Sequence, residues 1–259
     1  MEVRENEGAA PSHHSVRSPD AEFVDALISG ASKFGLSLRP AEVEALVTMY
    51  RALVEWNKRV NLTSILEPRS VAIRHVVDSL TCLLAAEFSE VKSCVDVGSG
   101  AGLPGLPLAL HCPEVEMTLV EAVAKKASFL EHVAGLLGLA NVRVIQARAE
   151  ELGRENSYRE TFDMAVSRGV AALPVLLEYC LPLVKVGGRF IAMKGPDVDR
   201  EIYQASAALG ELGGRVSGIR EVELPEGMGI HTLVVVEKVG VTPGKYPRRP
   251  GIPAKRPIS

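Results

Sequence analysis

Cysteine is scarce in this 259-residue chain. There are four, Cys82, Cys94, Cys112 and Cys180. No two form a C-x-x-C pair, which excludes the usual zinc and dithiol spacings. Each sits among apolar neighbours, as a buried free thiol does, and that fits a reducing compartment. The N-terminus lacks a basic segment followed by an apolar stretch, so no secretory leader is expected. No apolar run is long enough to cross a bilayer. These absences predict a cytoplasmic protein with no membrane partner. An excess of positive charge is missing too: the net charge is −3. A dedicated nucleic-acid binder is usually basic overall, so any RNA contact must come from local patches. No internal repeat, metal-ligand cluster or Ser-His-Asp arrangement stands out.

What is present is a globular composition, 47% hydrophobic, and an orderly succession of patterns. Residues 1–18 are polar and predict a disordered tail in which His13 and His14 are solvated. Residues 19–90 predict an N-terminal helical cap of three helices. The first runs from about Pro19 to Phe34, with Asp20 as its cap. The second carries Val43, Leu46, Val47, Tyr50, Leu53 and Val54 on one face. The third carries Ile73, Val76, Val77, Leu80, Leu83 and Leu84, with Arg74, His75, Asp78 and Ser79 as a polar stripe opposite. Arg74 and Asp78, four apart, are spaced to pair.

From residue 91 to 240 short apolar strands alternate with helices, which predicts a parallel doubly wound sheet of the Rossmann-like α/β class. In the helix read over 123–137, Val123, Ala127, Leu130, Ala134 and Leu137 face inward. Gly214–Leu224 and His231–Lys238 then follow one another without a helix between them, a closing antiparallel hairpin. The last segment, 241–259, is Pro-rich and basic. Lys245, Arg248, Arg249, Lys255 and Arg256 lie in it without an acid after residue 244, and its prolines argue against helix or internal strand.

The central motif is Val95-Asp96-Val97-Gly98-Ser99-Gly100-Ala101-Gly102-Leu103-Pro104-Gly105. It follows a strand and opens a helix near Pro104. Glycines at 98, 100 and 102 allow a sharp turn and let a ligand approach the main chain; the helix N-terminus beyond would favour an anionic group. Gly100 to Gly105 also spells the dinucleotide pattern G-x-G-x-x-G. Asp96 tilts the reading toward a cationic ligand such as S-adenosylmethionine (SAM), because a carboxylate there would repel a pyrophosphate. Glu121, closing the second strand, is placed for two ribose hydroxyls of either cofactor, or to cap the following helix. Ala147-Arg148-Ala149-Glu150, after the third strand, is where an adenine would lie.

Several ordered segments carry a more specific likeness: Trp56–Thr63, Arg74–Leu80, Asp96–Pro107, Lys125-Lys126 with Phe129-Leu130, Ser167-Arg168 and Met193-Lys194-Gly195. In these the chain resembles the bacterial small-subunit rRNA guanine-N7 methyltransferases, the glucose-inhibited division protein B family, over roughly residues 22–239. Some members carry a similar tail. The resemblance implies a class I SAM-dependent methyltransferase fold and SAM as cofactor. It implies 16S rRNA of the small ribosomal subunit as partner, with N7 of the 530-loop guanosine, position 527 in standard rRNA numbering, as target. The implied SAM contacts are Gly98, Leu103, Ala149, Glu150 and Arg168; Asp96, Gly100 and Glu121 come from the reading of the residues themselves. Gly169 stands where the family often has alanine, and Glu121 where some members have aspartate.

The chemistry of such a target asks little of the chain. N7 of guanine has an in-plane lone pair and no proton, so in-line attack on a methyl group needs no general base, and proximity and alignment carry the rate. The Asn/Asp-Pro-Pro-aromatic motif of exocyclic-amine methyltransferases is absent, and no cysteine follows a proline as in cytosine-C5 enzymes. The candidates for meeting RNA or the reacting groups are Arg168 at the mouth of the site, His75 on the third helix, Lys194 at the end of the fifth strand, and the tail cations. A monomer is expected. The competing readings are an NAD-dependent oxidoreductase, a SAM enzyme of small molecules and a non-catalytic nucleotide-binding regulator.

Overall fold

The computed structural model describes residues 18–258; the N-terminal tail with His13 and His14 lies outside them. Helix α1 (Pro19–Lys33) starts with proline at its first position, and Ser18 caps it by accepting from Ala21 N at 3.2 Å. Ser18, not Asp20, is therefore the cap. Asp20 instead pairs with Arg51 on α2 (Pro40–Asn57). Phe23 and Tyr50 stack at 4.8 Å between the two helices.

The third helical segment is broken. A turn of α-helix, α3 (Pro68–Val71), passes into a π-helical stretch, Ala72–Val77, then α4 (Asp78–Leu80) and a 3-10 turn, Thr81–Leu84. Short π-helical insertions recur at functional sites. The apolar face packs as its spacing predicts, with Ile73, Val76, Val77 and Leu80 fully buried. The polar stripe does not stay at the surface: His75, Asp78 and Ser79 are buried and only Arg74 is exposed. Arg74 and Asp78 do not pair, because Asp78 turns to partners on the sheet.

The sheet has seven strands in the order β3-β2-β1-β4-β5-β7-β6. They are β1 (Ser93–Val97), β2 (Glu116–Glu121), β3 (Val142–Gln146), β4 (Phe162–Arg168), β5 (Val184–Lys194), β6 (Gly214–Glu223) and β7 (Ile230–Lys238). β1 to β5 are parallel, and β7 inserts antiparallel between β5 and β6. The crossovers are α5 (Gly105–His111), α6 (Ala124–Leu136), α7 (Ala149–Leu152), α8 (Leu173–Cys180), and the pair α9 (Asp199–Gln204) and α10 (Ser206–Leu212). This is the doubly wound architecture with the closing hairpin that alternating strands and helices predict.

Both faces of the sheet are covered. One apolar cluster joins the N-terminal helices, α5 and α6 to the sheet; Trp56 meets Phe129 at 5.6 Å within it. The other joins α7, α8 and α10 to the opposite face. Phe23, Phe129 and Phe190 are fully buried, each contributing about 1.5–3 kcal/mol by leaving water. Within α6, Ala127 and Leu130 are buried as expected, whereas Val123 is half-exposed, because it lies before the first helical turn as the cap residue. Three cysteines are buried and Cys112 is partly so; all are free thiols. Burial raises their pKa values, that of Cys112 to about 11.

The C-terminal segment is not a loose tail. It folds across α8 as a strap and includes a one-turn helix, α11 (Ile252–Lys255), which admits Pro253 because the missing N–H falls in its first turn. Arg248 forms a bidentate pair with Glu178 at 2.6–3.1 Å, and Glu178 is fully buried. The Arg159 guanidinium donates to the carbonyls of Gly153, Thr242, Pro243 and Tyr246 at 2.7–3.3 Å. Lys245 pairs with Glu211 at 3.0 Å.

Candidate functional site

The strands β1 to β4 end at one edge of the sheet, where the order reverses between β1 and β4. Ligands of doubly wound sheets bind outside the carboxyl ends at such a switch point. Here the turn after β1 is stitched onto β2: Gly98 N and Ser99 N donate to Val120 O at 2.9 and 3.1 Å, and Gly100 N donates to Glu121 Oε2 at 2.9 Å. Gly98, Gly100 and Gly102 have φ of +76°, +56° and +82°, a region that side-chain-bearing residues rarely enter.

This turn floors a cavity of ≈ 550 Å³. Glu121, Ala147, Ala149, Glu150 and Tyr179 border it, as do Thr63, His75, Arg168 and Val170. Glu121 is nearly buried, and its second oxygen accepts from Val123 N at 2.8 Å. It thus ties Gly100 of the turn and Val123, the residue before α6, to one carboxylate that borders the cavity.

Asp96 is a correction. It does not border the cavity; it lies fully buried beneath the turn, where Oδ2 accepts from Gly105 N at 3.0 Å and Oδ1 has no hydrogen-bond partner. The expected ligand-facing helix N-terminus is likewise occupied from within, because Asp96 takes the Gly105 donor. Burial pushes the Asp96 pKa from 3.8 up to about 7, against the opposing pull of Gly105 N–H. A raised carboxyl pKa means that folding favours the protonated form. The cost is absent below pH ~4 and grows as pH rises toward 7. Asp96→Asn is therefore expected to be more stable than the parent at pH 8. The gain is at most about 4 kcal/mol, less the cost of the amide's own unpaired N–H, and vanishes below pH ~4. Denaturant titrations at pH 4 and pH 8 check this; an equal effect at both would contradict it.

Around Arg168, three elements meet. Arg168, at the end of β4, donates through one terminal nitrogen to Asp78 Oδ2 at 2.6 Å and to Arg74 O at 3.1 Å. His231, at the start of β7, places Nδ1 2.8 Å from Asp78 Oδ1. Burial works to raise the Asp78 pKa, but His231 and Arg168 outweigh it and hold it below the ordinary value. His75 Nε2 lies 2.8 Å from Thr63 Oγ1, and the Thr63 loop is held by Asn57, whose Oδ1 accepts from Leu62 N and Thr63 N at 2.8 and 3.0 Å. Burial, then the nearby Arg168 charge, lowers the His75 pKa to about 4. His75 is thus neutral near pH 7. His75→Asn is expected to change the rate by the same factor at pH 6 and pH 8; a factor that differs between them would reveal a titrating base.

Lys194 is a second correction. It does not border the cavity: Nζ is 2.8 Å from both Ala171 O and Glu201 Oε2, and Glu201 also accepts from Leu173 N at 2.7 Å. Lys194 therefore anchors the loop after Arg168 and is not free to meet RNA. Of the remaining candidates, Gly98, Gly100, Leu103, Glu121, Ala149, Glu150, Arg168 and His75 are all brought to one cavity. Thr63, Val170, Tyr179 and Ala254 join them and had not been singled out. His231 acts through Asp78, 153 positions away in the chain, so no local pattern could have found it.

Residues 42–226 match the protein family described as rRNA small subunit methyltransferase G. A protein of that name from Roseiflexus castenholzii is 48% identical over 236 residues, covering 91% of this chain and 100% of the relative. One from Alkaliphilus metalliredigens is 44% identical, covering 90% and 97%. The chain belongs to the small-subunit rRNA methyltransferase G family. It is a SAM-dependent methyltransferase, and the oxidoreductase and regulator readings fall. In fold it is similar to a Klebsiella pneumoniae protein described as an O-methyltransferase, with a TM-score of 0.55 at 15% identity, covering 83% of this chain and 97% of that one.

The residues present fit SAM. A Cβ on Gly100 would stand in open space, its nearest neighbour being Gly98 O at 3.8 Å, so the turn leaves room for a ligand against its backbone. Glu121 offers a carboxylate suited to ribose hydroxyls, and Arg168 a cation suited to a carboxylate. When bound, SAM supplies an electrophilic methyl group on sulfur.

Proposed function

We propose that this methyltransferase modifies N7 of a guanosine in the 530 loop of 16S rRNA, position 527 in standard numbering. Glu121 and the Ala149–Glu150 corner hold the nucleoside end of the cofactor, and the Gly98–Leu103 turn supports its amino-acid portion. The guanine enters at the opposite end, between the Thr63 loop, His75 and Arg168. The single observation that carries this reading is the character of that entrance. The histidine beside it is neutral and bonded to Thr63, and the carboxylate behind it is consumed by Arg168 and His231. Among the described residues nothing there is poised to remove a proton, which suits an acceptor nitrogen that carries none.

Catalysis on this reading is alignment. Asn57 fixes the Thr63 loop, His75 braces it, and the Asp78–His231 pair holds Arg168 at the rim. Arg168 can then receive an RNA phosphate or the cofactor's carboxylate. The strap's exposed Arg249, Lys255 and Arg256 add local positive charge beside the cavity, as a chain of net charge −3 must if it is to hold RNA. Lys245 and Arg248 are spent on Glu211 and Glu178 instead.

Transfer of labelled methyl from SAM to small subunits that lack the modification, followed by mapping of the labelled nucleotide, tests this reading. One label at N7 of that guanosine is expected. Label on another ring atom, or on a metabolite in place of RNA, would overturn it.

A further inference from the structure

The matched family segment ends at residue 226, yet a residue far beyond it borders the cavity. Ala254, on α11, lines the same cavity as Ala147, Ala149, Glu150 and Tyr179. The strap also touches the acid of that corner directly, for Gly251 N donates to Glu150 Oε1 at 2.9 Å. Glu150 is only 3% exposed. One of its oxygens is thus fixed by the strap, which sets the direction of the carboxylate within the cavity wall.

The strap is held there by strong contacts. Glu178 is buried on α8, and Arg248 satisfies it with a fork of charge-assisted hydrogen bonds, joined by Arg248 N at 2.7 Å. Arg154 donates to Pro247 O at 2.7 Å, and Tyr246 is buried in the core of that face. Lys238, fully buried at the end of β7, donates to Glu160 at 2.8 Å and to Thr242, at the strap's beginning, at 2.5 Å. Buried charges persist only when paired, so this set of pairs makes the strap part of the folded body.

We infer that the strap is the outer wall of the cofactor's purine end: Gly251 orients Glu150 toward the base, and Ala254 closes over it. Cofactor affinity then depends on residues outside the segment that carries the glycine turn. This inference rests on the cavity being the cofactor site.

Two variants test it. One ends the chain after Gly251, removing 252–259 while keeping the Arg248–Glu178 pair. The other, Ala254→Glu in the full chain, sets a second carboxylate beside Glu150 with the strap intact. Binding of S-adenosylhomocysteine and of adenosine is measured by calorimetry. Both variants are expected to weaken both ligands by a similar factor, about tenfold. The KM for SAM should rise accordingly. If the truncated chain fails to fold, as read by its melting curve, Ala254→Glu decides alone. Unchanged affinity for both ligands, or a loss for S-adenosylhomocysteine that adenosine does not share, overturns the inference. Failure of the parent chain to bind S-adenosylhomocysteine at all would overturn the cofactor site itself.

Discussion

Asp78→Ala is expected to lower the melting temperature by roughly 10 °C and to slow methyl transfer about a hundredfold. Asp78 is 6% exposed, accepts from Arg168 and lies 2.8 Å from His231 Nδ1. Removing one member of a buried charge pair leaves the other without compensation, which costs about 3–5 kcal/mol. The rate effect has a separate origin. Arg168 borders the cavity and is aimed by its bonds to Asp78 and Arg74 O; a misplacement of about 1 Å at such a site can cost a hundredfold. Asp78→Asn keeps an acceptor oxygen and should fall between the two. Melting curves and single-turnover rates check both parts. A stable variant with parental rate would show that the buried cluster neither supports the fold nor aims Arg168.

Glu121→Ala is expected to weaken S-adenosylhomocysteine binding by at least about a hundredfold. The Glu121 carboxylate accepts from Gly100 N and Val123 N, one oxygen to each. It therefore holds the turn against β2 and fixes Val123, the residue before α6, while facing the cavity. Hydrogen bonds to a charged group contribute about 1.5–3 kcal/mol apiece, and two lost ribose contacts reach the expected factor. Glu121→Asp withdraws the carboxylate by one methylene and should bind more weakly than the parent but far better than the alanine variant. Calorimetric titration of the three proteins separates these outcomes. Equal affinity across the series would move the ribose elsewhere.

The sheet and its order of elements were legible because buried parallel strands and amphipathic helices leave unmistakable periods, from Ser93 to Lys238. The glycine turn was legible because its three positive φ angles demand glycine. The misreadings share a cause. Asp96, Lys194 and Arg248 were read by type and position, as groups free to meet a ligand. In the structure each faces inward, to Gly105, Glu201 and Glu178 respectively. A charge's partner is set by tertiary contact and not by neighbours in sequence. The third helix shows the same limit: its apolar spacing was right, but the π-helical turn and a second packed face buried His75 and Asp78. The strap was hidden for a further reason. Prolines and cations read as a solvated tail unless one knows that Glu178, midway along an apolar helix, needs a cation.

The central claim is that the cavity between Glu121 and Arg168 holds the cofactor. A crystal structure with S-adenosylhomocysteine tests it most directly. The product should lie along the Gly98–Leu103 turn, with its ribose on Glu121, its purine under Ala254 and its sulfur toward the Thr63 and His75 end. Density for the product at another place, with this cavity filled only by solvent, would contradict it.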